Sequence, residues 1–486
     1  MHRKRDKKRL RIQLTFIYTL MVIAVVSIVA ILILVIQGYR YNRFDGKLEQ
    51  GGLVQFNSRP SGATVTVDSA TLANKTANKV TLTAGGHTIS MSREGYSSWK
   101  KDVVVRPGSV LWLNYALLFP NSPVVETAVQ YTAVASALPS PNQKRMAVVA
   151  DAATPEVQLV TLSNVKSTAT KIAIPETAYT APAATDTTQN FSLLAWDKDS
   201  NLLLVRHNYG DKTEYLSFDT RDGKAHNIST ELGVDIRKIV YSRGDSNVAY
   251  ALTAAHELRR LTISSATVSG PLASNVADFT VNEEKVIVYT THADADGKRT
   301  VGYVSSGNNK AKVLATYGSE AGVLLAATGN YYGDHYLTIL QGKTLKVLKG
   351  DFPSSDSSSK PTLTQVASLT VANSADYLGF SPNSNRIVYA AKGSQIVTYD
   401  LELRAHALTT LQDPLTRDVQ WLDDYHLFAV GKNGYYYDYD GTNSQLFASN
   451  TLDYPVTLSD NDKYIYYFTS TEKGPALQRV RLTTDT

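Results

Sequence analysis

The stretch "LGFSPNSNRIVYAAKGSQIVTYDL", residues 378–401, constrains this chain more than any other feature, because variants of it recur along the sequence. Each copy runs hydrophobic strand, polar turn, hydrophobic strand, short turn, strand. The other copies begin at residues 138, 193, 239, 278, 325, 419 and 456, which makes eight in all. Their spacing is roughly 40–55 residues, the length that four short strands and their turns fill. One such sheet cannot bury both of its faces, whereas a closed ring of them can. Strand follows strand with no helical stretch between, which excludes a βαβ architecture. The expected body is therefore a β-propeller of eight blades. Seven blades stay open as a count, since the fifth copy at 325–348 is poor and borders the Ser-rich insert "FPSSDSSSKP" at 352–361. That insert reads as a surface loop, and "IPETAYTAPAATDTTQN" at 174–190 reads as an extended connector.

Charge separates the first residues from the rest. Residues 1–11, "MHRKRDKKRLR", hold seven Lys/Arg and one Asp, and the remainder holds 42 basic and 43 acidic residues, so the net charge of +5 belongs to the tail. A nucleic-acid partner is not expected, because the body has no basic excess. Residues 14–36, "LTFIYTLMVIAVVSIVAILILVI", carry no charge, and as a helix they cover the ~30 Å hydrocarbon core of a bilayer. The basic cluster precedes them, which keeps the N-terminus cytoplasmic and sends the rest outside the cytoplasm. The run is longer than the h-region of about 7–15 residues in a signal peptide, and no small-residue cleavage site follows it. An uncleaved single-pass anchor in the cell membrane is expected, with Tyr39, Tyr41 and Phe44 in the interfacial belt. The chain has no Cys, which excludes disulfides, thiolate metal sites and a Cys nucleophile.

Between anchor and repeats lies a small β domain. "LVQFNS" at 53–58, "ATVTV" at 63–67, "HTISMS" at 87–92, a segment around 100–105 and "VLWLNYALL" at 110–118 read as strands. Pro60 and Gly62 make a turn, and Gly85-Gly86, Glu94-Gly95 and Pro107-Gly108 punctuate the rest. About five strands in this length form a compact β-sandwich or small barrel. The residues Pro60-Ser61-Gly62-Ala63, the alternation to Asp68, Gly86-His87, Gly95-Tyr96 and the closing strand resemble the PEGA domain family across residues 53–118. Ser61 stands where the name-giving tetrapeptide has Glu, at an exposed turn position, and Ser69 replaces a usual Gly. The resemblance implies a non-enzymatic surface module for attachment, spacing or envelope contact. His87 has no second ligand at metal spacing and reads as structural. Tyr96, Trp99 and Trp112 read as packing residues. The "SPN" turns at 140–142 and 381–383 resemble the WD40-like, TolB-type propeller repeat, although its Trp-Asp ending is absent.

The expected fold is thus an all-β ectodomain, a PEGA-like sandwich plus propeller, behind one transmembrane helix. The expected boundaries are 1–11 basic tail, 12–37 anchor, 38–52 linker, 53–118 PEGA-like domain and 122–486 propeller. No phosphate loop, G-x-S-x-G elbow or H-E-x-x-H is present. Asp294, Asp296 and Gly297 look like the start of a calcium loop, but residue 305 is Ser rather than the Glu such a loop requires, so a turn explains them better. "DYDG" at 438–441 is the same case. "GYYYDYD" at 434–440 puts Tyr435, Tyr437 and Tyr439 on one strand face and Tyr436 on the other; one set is expected to pack between blades, and the other is a candidate stacking face for a glycan or peptide. No catalytic residue, metal or cofactor is expected. The function read from these features is a non-catalytic, membrane-anchored surface protein binding a protein, peptide or glycan. The alternatives are a propeller hydrolase or lyase acting on polysaccharide, and a scaffold of an envelope export or division complex.

Overall fold

The apolar run lies within a single helix, Arg3–Ile36, of which Arg11–Ile36 is long and apolar enough to cross a membrane. Thr15 and Thr19 sit inside that span, and each donates its hydroxyl to the carbonyl four residues back at 2.8 Å, so both hydroxyls are satisfied within the helix. The computed structural model describes residues 3–36, 39–42, 47–163, 166–182, 188–281, 286–305, 310–318, 322–354, 357–372 and 374–483. Phe44 and parts of the 174–190 connector and the 352–361 insert lie outside them. The chain divides into two compact units, Met1–Ser122 and Pro123–Thr483.

In the first unit, residues 39–52 hold strand Tyr39–Asn42 and the start of strand Lys47–Arg59, paired antiparallel from Tyr39↔Gln50 to Asn42↔Lys47. This is a difference from the linker expected there, and its cause is that the first sandwich strand extends back toward the anchor. The same long strand then pairs antiparallel with Asn78–Thr83 and parallel with Val110–Leu117. The second sheet is built of Ala70–Thr71, Thr64–Val67, Gly85–Ser92 and Trp99–Val105. Alternation decides what goes inside. Val54 and Phe56 from one sheet and Val65, Ile89 and Met91 from the other are fully buried. Trp99 meets Tyr115 edge-on with ring centroids 5.8 Å apart, which places Trp99 in the core as expected. Trp112 instead points outward and is partly exposed.

Among the described residues, the second unit holds eight four-stranded antiparallel sheets, spanning 136–173, 189–227, 236–268, 276–317, 324–370, 377–410, 420–449 and 457–481. Seven are continuous in sequence. The eighth takes its outermost strand from the start of the unit, Val125–Gln130, which pairs with Gly474–Arg481 from Ala476↔Gln130 to Val480↔Val125. The poor fifth copy is a full sheet whose last strand, Thr362–Thr370, follows the Ser-rich insert.

Each sheet buries one face on its predecessor and the other on its successor. Ala147, Val149 and Val157 of the first sheet pack with Phe191, Leu203 and Phe218 of the second. Met146, Val148 and Val160, on the opposite face of the first sheet, pack with Tyr466, Phe468 and Leu477 of the last. The ring is thereby closed, and this is why strands such as Val248–Thr253 are buried at every position.

The polar turn between the first and second strand of a sheet has a recurrent local cause. Ser140, Ser381 and Ser459 each pair their backbone N–H across the turn, and each side-chain oxygen accepts a second backbone N–H, from Arg145, Ile387 and Tyr464 respectively. Asp197 does the same with Asn201 and Leu202 at 2.7 Å. Gln143, Ser200, Asn385 and Asp462 take positive φ in these turns.

Candidate functional site

The first strands of successive sheets line the centre of the ring, and their N-terminal ends converge on a cavity of about 300 Å³. Lys238 comes from Ile236–Tyr241 and Asp278 from Val276–Thr280. Asp376 immediately precedes Tyr377–Phe380, and Asp418 lies just ahead of Gln420–Trp421. Phe279, Leu325 and Leu378 supply apolar wall between them.

The charges are not equivalent. Lys238 Nζ lies 2.5 Å from Asp278 Oδ1 and donates to the Phe279 carbonyl at 2.9 Å. Asp376 Oδ1 is 3.4 Å from Lys392 Nζ. No cation among the described residues pairs with Asp418. Its carboxylate accepts the Val419 N–H at 2.7 Å and the Tyr389 hydroxyl at 3.1 Å and 3.2 Å. Asp418 is open to the cavity yet walled by protein, and this burial lifts its pKa above the usual carboxylate value against both hydrogen bonds. Burial and the Asp418 charge also push the Tyr389 phenol well up, so it stays a donor. The mouth therefore offers hydrogen-bond acceptors with one uncompensated acid, an arrangement suited to a cationic group.

The sequence-marked residues lie elsewhere. In the first unit, Gly62 takes φ +82 and donates to the Thr76 carbonyl at 2.9 Å. Ala63 is fully buried and its N–H donates to the Thr76 hydroxyl, while the Ser61 carbonyl accepts from Arg93 at 2.7 Å. The Pro60 carbonyl accepts the Ser58 hydroxyl at 2.8 Å. Gly86 is the second residue of strand Gly85–Ser92, which carries His87. Both His87 ring nitrogens are engaged, Nδ1 with Asp68 at 2.5 Å and Nε2 with the Thr83 carbonyl at 2.8 Å, which leaves no lone pair for a metal. Burial opposes the His87 proton, but these two acceptors hold its pKa above the usual value. Gly95 takes φ +80, and Tyr96 is buried beneath Arg93.

The tyrosine run is a correction. Tyr436, Tyr437 and Tyr439 are buried, because a sheet within the ring is covered on both faces. Tyr437 belongs to the cluster of Tyr389, Leu427 and Leu411, and Tyr439 donates to Asp400 at 2.9 Å. Tyr435 is half-buried against the same cluster. None of the three buried rings is available to a ligand. The Asp294 loop closes as a turn, with Asp294 Oδ1 accepting the N–H of Asp296 and Lys298 and Gly297 at φ +74. Among the described residues no three His, Asp or Glu side chains gather as a metal site.

The cavity residues escaped the sequence reading because they come from five separate repeats. The available signal was positional, since Asp278, Asp376 and Asp418 each stand at or just before the first strand of a copy.

Comparison with known proteins agrees with this architecture. Residues 52–118 match the PEGA domain. The C-terminal WD40 domain of Sif2 superposes with a TM-score of 0.50 at 12% identity, covering 74% of this chain and 99% of that one. The β-propeller domain of Cps50 (Swd1) from Myceliophteria thermophila gives a TM-score of 0.42 at 9% identity over 74% of this chain and 99% of its own. No curated protein matches the sequence. The chain is thus a PEGA domain followed by a WD40-type β-propeller fold, with an N-terminal helix that is a candidate membrane anchor.

Proposed function

We propose that this is a membrane-tethered, non-catalytic binding protein whose propeller takes a protein segment at the channel mouth, with a Lys or Arg side chain of the partner entering beside Asp418. The observation that carries the reading is the uncompensated Asp418 in an open cavity whose other acids already have lysine partners. A cation there regains the electrostatic energy that burial removes from the carboxylate. The PEGA domain acts as a short stalk between anchor and propeller, with the basic tail cytoplasmic and the rest outside the cytoplasm. A scaffold role in an envelope complex shares this chemistry and differs in its partner.

The test is a titration of the full chain, reconstituted in nanodiscs, with peptides bearing one Lys or Arg and with their norleucine counterparts. Saturable binding by the basic peptides is expected, weakened about ten-fold in Asp418→Asn, or roughly 1.4 kcal/mol. Equal binding by the norleucine peptides overturns the reading. Cleavage of a polysaccharide that is lost in Asp418→Asn would install the hydrolase or lyase in its place.

A further inference from the structure

A second cluster stands on the same loops-and-strand-starts side of the ring. Arg237 lies one residue before Lys238. His256 is in the loop after Val248–Thr253, and His292 follows Val286–Thr291. His256 Nδ1 is 3.2 Å from an Arg237 guanidinium nitrogen and 3.1 Å from His292 Nε2, with the two rings edge to face at 4.5 Å.

The backbone builds this cluster rather than leaving it to chance. The His256 carbonyl accepts the Val276 N–H at 2.8 Å, and His256 itself takes φ +59. The Asn275 carbonyl accepts the His292 N–H at 2.9 Å, and Asn275 Nδ2 donates back to the His292 carbonyl at 3.1 Å. Three loops are thus tied together with two imidazoles and a guanidinium held at their junction.

Proton accounting then fixes what the cluster presents. A guanidinium only donates, so His256 Nδ1 is an acceptor and its Nε2 carries the proton. With His292 Nε2 protonated, its N–H and that of Arg237 share the single lone pair of His256 Nδ1. What remains outward is the rest of the Arg237 N–H groups, the His256 Nε2–H and His292 Nδ1. Protonation of His292 Nδ1 turns every outward group into a donor.

Four of the neighbouring acids are committed elsewhere. Glu257 pairs with Arg259 at 2.6 Å, Asp296 faces Lys298 at 3.6 Å, Asp278 holds Lys238, and Asp294 caps its own loop. Asp235, two residues before Arg237, is exposed. Burial comes first, and then the charges of His256, Arg237 and Arg299, in pushing the His292 pKa below its usual value. Arg237 and Arg299 are the fixed charges that act on that ring in the same direction as burial.

We infer that Arg237, His256 and His292 form an oxyanion-binding site for a phosphate-bearing ligand on the rim of the propeller. A phosphate supplies the several acceptor oxygens that the outward donors lack, and its charge is attracted by the Arg237 guanidinium and by His292 once that ring is protonated. Binding draws a proton onto His292 by linkage, so affinity rises as pH falls through the histidine range. The site goes beyond the channel-mouth reading and does not depend on it.

The test is calorimetric titration of the full chain in nanodiscs with tripolyphosphate, at low salt and at pH about 6 and about 8, against empty discs. Binding is expected to be about ten-fold tighter at the lower pH, with proton uptake read from heats in buffers of different ionisation enthalpy. Arg237→Gln and His292→Gln each weaken it about five-fold or more, and both side chains are exposed enough to leave folding intact. Arg259→Gln, at a guanidinium already paired with Glu257, leaves it unchanged. Absence of saturable binding at the lower pH, binding without proton uptake, or unchanged affinity in the Arg237→Gln/His292→Gln double variant overturns the inference. The Asp418→Asn variant retains tripolyphosphate binding, which keeps the two sites distinguishable.

Discussion

His207 is completely buried, with its ring stacked on Phe191 at 4.2 Å and on Tyr209 at 5.1 Å, and it survives there because of Glu214. Its Nδ1 donates to Glu214 Oε1 at 2.8 Å. The same carboxylate accepts the Thr180 N–H, the Thr180 hydroxyl and Asn227 Nδ2 at 2.7–2.9 Å. Burial opposes the charge, yet these donors bring the Glu214 pKa down to about 2. A depressed carboxylate contributes stability that is present above its unfolded pKa of about 4.3 and disappears as pH falls toward the folded value. Glu214→Gln removes the charge while keeping the shape, and should cost about 3 kcal/mol in denaturant unfolding near neutral pH. The loss should shrink as pH falls through the carboxylate range; a pH-independent loss would assign it to packing. This pair was within reach of the sequence. The Gly210-Asp211 turn sets a hairpin in which His207 stands directly opposite Glu214. Asp418 and its neighbours were not, because the ring closure that gathers them is spread over five repeats.

At the scale of the element, what was legible is what local chemistry repeats. The strands alternate or run apolar in each copy, and the "SPN" turns announce a side chain that bonds the backbone across the turn. Ser381 illustrates the energetics. It is fully buried, its N–H donates to the Ile387 carbonyl at 2.8 Å, and its hydroxyl accepts the Ile387 N–H at 3.2 Å. Ser381→Ala leaves that amide without a partner in a dry turn, and about 1–2 kcal/mol of stability should go with it. Faster amide exchange at Ile387, with exchange in distant sheets unchanged, is the expected signature in hydrogen-exchange measurements. The tyrosine run shows where local reading fails. Period two assigns Tyr435 and Tyr437 to one face correctly, but it carries no information on what covers that face. In this ring the cover is the preceding sheet, with Tyr389 and Leu411.

At the scale of the molecule, the propeller depends on one seam. Sequential sheets are held by chain continuity as well as packing, whereas the last sheet is completed by a strand some 350 residues away. Val125–Gln130 is mostly exposed and short, so its role was invisible in the sequence, where nothing marks it as the partner of Gly474–Arg481. The seam is pinned by Arg479, whose guanidinium donates to Glu126 at 2.6 Å and lies 4.4 Å above the Tyr464 ring. Val129 stands opposite Leu477 and packs against the cluster that joins the last sheet to the first. A carboxylate there would be desolvated without a cation, at a cost of about 3 kcal/mol. The entropy of bringing such distant segments together is recovered only if the seam holds. Val129→Asp should therefore raise hydrogen exchange first in 125–130 and 474–481, and then in the first sheet, before the middle sheets respond. Leu446→Asp, on the exposed outer strand Gln445–Ser449, makes the same chemical change without touching the seam and should leave that order of opening unchanged. Uniform loss of protection in Val129→Asp would mean that the ring unfolds as one unit and that its closure is no weaker than any other junction.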